Sequence, residues 1–270
     1  MIGREKMFFL KKRKNIADSA PVLIGNMHHI GARESQQDSF AISDVSNMEL
    51  LRRKGVFGVV ADGMGGLADG GEVSGIVARA MLQYFIETDT SGRPELDLLN
   101  MLYLANDNVN RFLDGREQGG STVVATILCD GKMYWVAVGD SRICLLRGGA
   151  LIQLNREHVY AVELYEKAAT GEITWEDAAT SPEQGALTSY LGMGNLEKVD
   201  RNIMPVQLVS GDRILLMSDG VFGVLTNDEI LESMMTEPHR SAGVLQEKVL
   251  EKQNPNQDNL TAVILEYRGI

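Results

Sequence analysis

Two β-hairpins in succession constrain this chain more than any other feature. Thr122–Cys129 and Lys132–Val138 are apolar, β-rich runs joined by Asp130-Gly131, the strongest short hairpin signal. Ile143–Leu146 and Leu151–Leu154 form a second pair around Gly148-Gly149. Strands joined this tightly are antiparallel, because a parallel pair needs a long crossover. Further short strands are expected at Leu23–Met27, Ser39–Ser43, Val56–Ala61, Ala186–Leu191, Ile203–Leu208, Arg213–Met217 and Leu260–Tyr267. Helical spacing appears at Glu72–Ile86 and Leu96–Leu113, at Glu157–Ala169 and Thr174–Ala179, and at Asn227–Met235 and Ala242–Lys252. The helices come in pairs between groups of strands, not after every strand. That pattern implies packed sheets with helix pairs outside, an α+β layered domain.

The 270 residues carry 26 basic and 37 acidic side chains, a net charge of −11. Such a balance argues against a nucleic-acid binder, which needs a basic face, but not against cation binding. No apolar run approaches the roughly 18 residues of a membrane span. Cys129 and Cys144 each lie in an apolar segment, which suggests a reducing, cytoplasmic setting rather than a disulfide scaffold. Residues 1–20 form a basic N-terminal extension: six basic and two acidic residues fall in the first 18, around Met7-Phe8-Phe9-Leu10. The apolar piece is too short for a signal-peptide core. A solvated extension is the plain reading, with a membrane-surface or partner contact as the other. Residues 21–270 then read as a single domain.

Five aspartates border apolar strands. Asp38 precedes Ser39–Ser43, Asp62 ends Val56–Ala61, Asp140 ends the run of Trp135 and Val138, Asp219 follows Arg213–Met217, and Asp258 precedes Leu260–Tyr267. Asp-Gly is also ordinary turn chemistry, and the pair at 130 is a turn and nothing more. Asp62 and Asp219 differ from it because each leads into a glycine-containing segment and not into a partner strand. Clustered carboxylates cannot all be ionised without a cation between them. An all-oxygen set suits Mg²⁺ or Mn²⁺, and two such ions about 4 Å apart can turn a bridging water into hydroxide near neutral pH. Arg33 is the candidate for clasping a phosphoryl group.

These residues resemble the PPM family, the metal-dependent type-2C Ser/Thr protein phosphatases, in their bacterial form. Arg33-Glu34-Ser35-Gln36-Gln37-Asp38 is similar to the family's opening motif, and Asp62-Gly63-Met64-Gly65-Gly66 to its central one. Gly120-Ser121-Thr122, Gly139-Asp140-Ser141-Arg142, Ser218-Asp219-Gly220 and Asp258-Asn259-Leu260-Thr261 follow in family order. The resemblance implies a four-layer αββα fold, an antiparallel β-sandwich flanked by helix pairs. It implies a flap at about 155–190 over the site. It implies that Asp62 bridges two metals with help from the Gly63 carbonyl, and that Asp219 and Asp258 hold one of them. By the same resemblance Asp140 holds a third, weaker ion, Arg33 binds substrate phosphate and Asp38 orients water. The implied activity is hydrolysis of phosphoserine and phosphothreonine on proteins, substrates of a Ser/Thr kinase, by a water or hydroxide bridging two Mn²⁺ or Mg²⁺ ions. A monomer is expected.

Met64 stands where eukaryotic relatives carry a histidine proposed as general acid; methionine has no proton to give, so water must protonate the leaving alkoxide. Gln36 and Gln37 take the place of Asn and Glu/Gln in the opening motif. His158 follows Glu157 in the flap, where relatives often have Asp. A dinucleotide-binding reading of Gly63–Ala68 fails because Asp62 would face the pyrophosphate and the later strands pair as hairpins. The alternative from another class is a catalytically weak member acting as a phosphoprotein-binding or sensing module. His28, His29, His239, Trp135 and Trp175 read as structural or exposed.

Overall fold

The computed structural model describes residues 21–65, 70–114 and 119–269. The basic extension and Gly66 of the central motif lie outside those residues. In chain order the strands are β1 (Val22–His29), β2 (Asp38–Ile42), β3 (Val56–Gly65), β4 (Gly119–Ser121), β5 (Val123–Cys129), β6 (Lys132–Val138), β7 (Arg142–Arg147), β8 (Ala150–Gln153), β9 (Asp200–Arg201), β10 (Val206–Gln207), β11 (Arg213–Met217) and β12 (Leu260–Tyr267). The helices are α1 (Met48–Lys54), α2 (Gly70–Glu87), α3 (Pro94–Leu113), α4 (Tyr160–Thr170), α5 (Trp175–Thr180), α6 (Asp219–Phe222), α7 (Asn227–Ser233) and α8 (Pro238–Glu251). One sheet runs β1-β12-β11-β7-β8 and the other β10-β6-β5-β3-β2, with β4 on β3 and β9 on β6. Every pairing is antiparallel.

Side-chain alternation sorts the apolar residues into layers. Along β3, Phe57, Val59 and Ala61 face outward and pack on Val77, Met81, Leu98 and Met101 of α2 and α3. Val56 and Val60 face inward and meet Ile214, Leu216, Val263 and Leu265 of the other sheet. That second sheet turns Leu215, Met217, Ala262 and Ile264 outward onto Ile230, Leu245 and Val249 of α7 and α8. The result is helix, sheet, sheet, helix, as the resemblance implied. Gly58 sits at the inner face, where a Cβ would stand 3.3 Å from Leu265. Burial of these apolar layers is the main stabilising term.

The hairpin turn at Asp130-Gly131 is present, with φ of 49° and 68°, the left-handed pair that a two-residue hairpin requires. Thr174 caps α5 through a reciprocal bond with Asp177, and Thr226 caps α7 with Glu229 in the same way.

Three sequence expectations need correction. Ala186–Leu191 is not a strand: Leu187 bridges Val159 while Leu191 bridges Ser121. Gly192 and Gly194 then adopt φ of 102° and 91°, so the segment turns away before a ladder can extend. Ile203–Leu208 shortens to β10. Asp62 does not end its strand, because β3 continues to Gly65 and pairs Gly63 with Ser121.

Candidate active site

The alternation that points Val56, Gly58 and Val60 into the gap between the sheets points Asp62 there too. Asp38 lies directly opposite it in the β2–β3 register. Across the gap, Ser218 follows the inward Leu216, and Thr261 precedes the inward Val263. The apolar interior therefore ends in a polar mouth. Ser218 donates its hydroxyl to Asp38 Oδ2 at 2.7 Å, and Thr261 bonds His28 Nδ1 at 2.9 Å. The His28 ring lies 5.4 Å from that of Phe40.

Above this floor is a cavity of about 370 Å³ lined by Arg33, Asp62, Asp140, Asp219 and Asp258, with Gly63, Met64 and Thr122. Asp140 sits in the turn between β6 and β7. Asp219 opens α6, and Asp258 lies just before β12. Arg33 donates to Asp258 Oδ2 at 2.6 Å, with its side chain more than half exposed. Asp38 does not line the cavity. It is 3% exposed and lies behind Asp62, so four of the five aspartates meet there and the fifth supports them. Gly185 and Leu187, from the expected flap, line one wall.

Burial dominates the electrostatics of this cluster. It pushes the Asp38 carboxyl up to about 6, with Asp219 and Asp258 adding to the push and the Thr261 and Ser218 hydroxyls opposing it. Burial also raises Asp140 to about 6, aided by Asp219. Asp62 is held well above the usual carboxylate range by burial and then by Asp38, Asp219, Asp140 and Asp258. Asp219 is raised by burial and by Asp258. Each shift thus combines removal from water with the repulsion of neighbouring carboxylates.

The residues fit a hard divalent cation. The donors are all oxygen, and Asp38 Oδ1 is buried with no hydrogen-bond partner among the described residues. As they stand, no three acidic, histidine or cysteine side chains among the described residues enclose a single point tightly enough to grip a bare ion. The ring is instead suited to ions that keep part of their water, as Mg²⁺ does.

Four supporting residues lacked any functional reading in the sequence. Asn259 accepts from the Gln37 amide at 2.7 Å and donates to the Ile30 and Ser35 carbonyls at 2.7 and 3.1 Å. It thereby pins the loop that carries Arg33. Thr122 Oγ1 accepts from the Asp62 amide at 3.1 Å and bonds Ser141 Oγ at 2.8 Å, tying the Asp62 and Asp140 backbones together. Ser218 is the fourth. All four stand inside the sequence motifs, but only proximity in space reveals their partners. Arg142 pairs with Glu157 at 2.5 Å and stacks 3.8 Å from the Phe222 ring centre.

A family model described as Protein phosphatase 2C matches residues 25–253. The chain belongs to the protein phosphatase 2C family. Among curated relatives, the serine/threonine phosphatase stp of Listeria monocytogenes is 32% identical over 219 residues, covering 77% of this chain and 83% of that protein. The crystal structure of the Mycobacterium tuberculosis serine/threonine phosphatase PstP/Ppp superposes with a TM-score of 0.75 at 25% identity, over 92% of this chain and 99% of that one. The crystal structure of the catalytic domain of the serine/threonine protein phosphatase PstP in complex with two manganese ions gives a TM-score of 0.71 at 25% identity, over 91% of this chain and 97% of that one.

Proposed function

We propose that this cavity hydrolyses phosphoserine and phosphothreonine on proteins with two divalent cations, Mn²⁺ or Mg²⁺. The observation that carries the reading is the convergence of Asp62, Asp219, Asp258 and Asp140 with Arg33 around one cavity. Asp62, Asp219 and Asp258, with the Gly63 carbonyl, would hold the two tighter ions, and Asp140 a third, weaker one. Bound there, the cations supply an activated water and offset charge on the phosphoryl oxygens. Arg33 clasps the substrate phosphate, for which its guanidinium must exchange its bond to Asp258. Asp38 acts from behind Asp62, holding Ser218 and the floor of the site in place while it helps to orient water. Met64 lines the cavity and leaves protonation of the alkoxide to solvent.

The finer assignments extend this reading. The domain spans 21–270, with its flap at about 155–190. Phosphoserine and phosphothreonine arise by phosphoryl transfer to a hydroxyl, so the substrates come from a Ser/Thr kinase. One chain supplies every residue of the cavity, so a monomer suffices. Burial pushes the Cys129 and Cys144 thiols up to about 11 and 12, which makes them poor disulfide formers and fits the cytoplasm. The binding-module alternative is disfavoured because the metal carboxylates are all kept. Hydrolysis of phosphothreonine, phosphoserine and phosphotyrosine peptides, with Mn²⁺ and with excess chelator, tests the activity. Full turnover in chelator would refute it.

Arg33→Ala is expected to raise KM for a phosphopeptide about tenfold while Mn²⁺ affinity stays the same, because the lost contact is to substrate. An unchanged KM would return Arg33 to the status of a surface residue. Asp140→Ala is expected to keep the two tight ions and lose the weakest, with lower turnover. Calorimetric Mn²⁺ titration decides the point, and equal site numbers in both proteins would remove the third-ion role.

A further inference from the structure

The floor beneath the aspartates is a row of polar side chains that crosses one sheet. His28 of β1 lies opposite Thr261 of β12 in the strand register. Ser218, at the end of β11, is joined to Thr261 from the other side. The Ser218 amide donates to the Thr261 carbonyl at 3.0 Å, and the Thr261 amide donates to Ser218 Oγ at 3.0 Å. Thr261 and Ser218 are fully buried. Asp38, on β2 of the other sheet, takes the Ser218 hydroxyl. His28 is the outermost member of the row, exposed at the edge of the sandwich beside Phe40.

The hydrogens of this row can be shared out in two ways. Ser218 Oγ accepts from the Thr261 amide and gives its own proton to Asp38 Oδ2. The Thr261 hydroxyl has one proton and two neighbours able to take it. One is His28 Nδ1, at 2.9 Å. The other is the Asp38 carboxyl, whose pKa the Thr261 hydroxyl lowers more than Ser218 does. Partial burial lowers the pKa of His28, so at neutral pH the ring is uncharged and carries a single N–H. With that hydrogen on Nδ1, the imidazole donates to Thr261 Oγ1 and the Thr261 proton turns toward Asp38. With it on Nε2, the imidazole takes the Thr261 proton and leaves an oxygen lone pair turned on a buried carboxylate. An acceptor set against an acceptor in a low-dielectric interior is costly, so the first arrangement is favoured.

We propose that His28 is a positioning residue for the hydrolysis: its Nδ1–H directs the Thr261 hydroxyl onto Asp38 and so steadies the carboxylate that stands behind Asp62. The proposal rests on the phosphatase reading of the cavity. A staple between strands is the other account of the same bond. However, β1 is already paired with β12 along all 8 residues of Val22–His29, so the sheet does not need it.

Steady-state kinetics with Mn²⁺ and a phosphothreonine peptide test the proposal. His28→Leu keeps the bulk and removes the donor. It is expected to lower kcat about tenfold, the worth of one good hydrogen bond, with KM unchanged. His28→Asn offers an amide N–H near the Nδ1 position and is expected to recover most of the loss. Thr261→Val is expected to lower kcat as far as His28→Leu does, and Thr261→Ser to stay near the parent. The double variant His28→Leu with Thr261→Val is expected to fall no further than Thr261→Val alone, because the two side chains act through one bond. A normal kcat for His28→Leu, equal losses in His28→Leu and His28→Asn, or multiplied losses in the double variant would overturn the proposal. If Thr261→Val does not fold, the contrast between His28→Leu and His28→Asn decides the matter. Imidazole nitrogen chemical shifts of the metal-free protein read the tautomer without turnover, and the Nδ1–H form is expected. An active parent whose His28 is the Nε2–H form would refute this proposal alone. A parent without Mn²⁺-dependent turnover would refute the phosphatase reading itself, whichever tautomer is found.

Discussion

Asp62→Asn is expected to lower Mn²⁺-dependent turnover on a phosphothreonine peptide by about 10²–10³-fold, the usual cost of removing one charge-stabilising group. The same substitution is expected to raise the melting temperature of the chelated protein. Asp62 faces Asp38 across the β2–β3 register, and burial plus four neighbouring aspartates hold its carboxyl well above the ordinary range. A neutral amide of the same shape removes that repulsion. A gain of about 1 kcal/mol corresponds to roughly 2–4 °C for a domain of this size. Scanning calorimetry in chelator reads the stability and initial rates read the catalysis. A variant with normal turnover, or one that melts lower without metal, would show that Asp62 is a structural residue.

Gly63→Ala is expected to damage the fold itself. A Cβ at Gly63 would press on the Gly70 carbonyl oxygen and lie 2.7 Å from that of Gln37. Both are backbone atoms, and neither can rotate aside. Either the start of α2 or the loop before β2 must move, and overpacking of this kind costs about 3 kcal/mol, or roughly 6–12 °C. Gly243→Ala is the control: nothing lies within 4 Å of its Cβ position, and in the middle of α8 alanine should stabilise by about 0.5–1 kcal/mol. Equal melting temperatures for Gly63→Ala and the parent would rule out the close approach.

Most of the architecture was legible because local rules and tertiary packing agree. Lys132–Val138, Arg213–Met217 and Leu260–Tyr267 are apolar runs with clear turn residues at their ends, and they form strands with those bounds. Asp62 was misread as a strand end because Asp-Gly is normally a turn. Its strand continues only because β4, almost sixty residues later, supplies the partner. The positions of Arg33, Asp140, Asp219 and Asp258 around the cavity could be anticipated from their motifs. The retreat of Asp38 behind Asp62 could not, because it depends on which face of β2 meets the other sheet. Ser218, Thr122 and Asn259 went unassigned for the same reason: a hydroxyl or amide acquires a role only through partners remote in sequence.

The order in which the strands are made has a consequence for the newborn chain. β12 comes after every other described strand, yet it fills an inner position in its sheet, between β1 and β11. Until it emerges from the ribosome, β1 and β11 each offer an unpaired edge, and Asp258 and Asn259 are still missing from the mouth of the site. Such exposed edges are where nascent chains mispair with their neighbours. The strand that seals this gap also brings Asp258, so the carboxylate lining of the cavity is completed only when the chain is nearly finished.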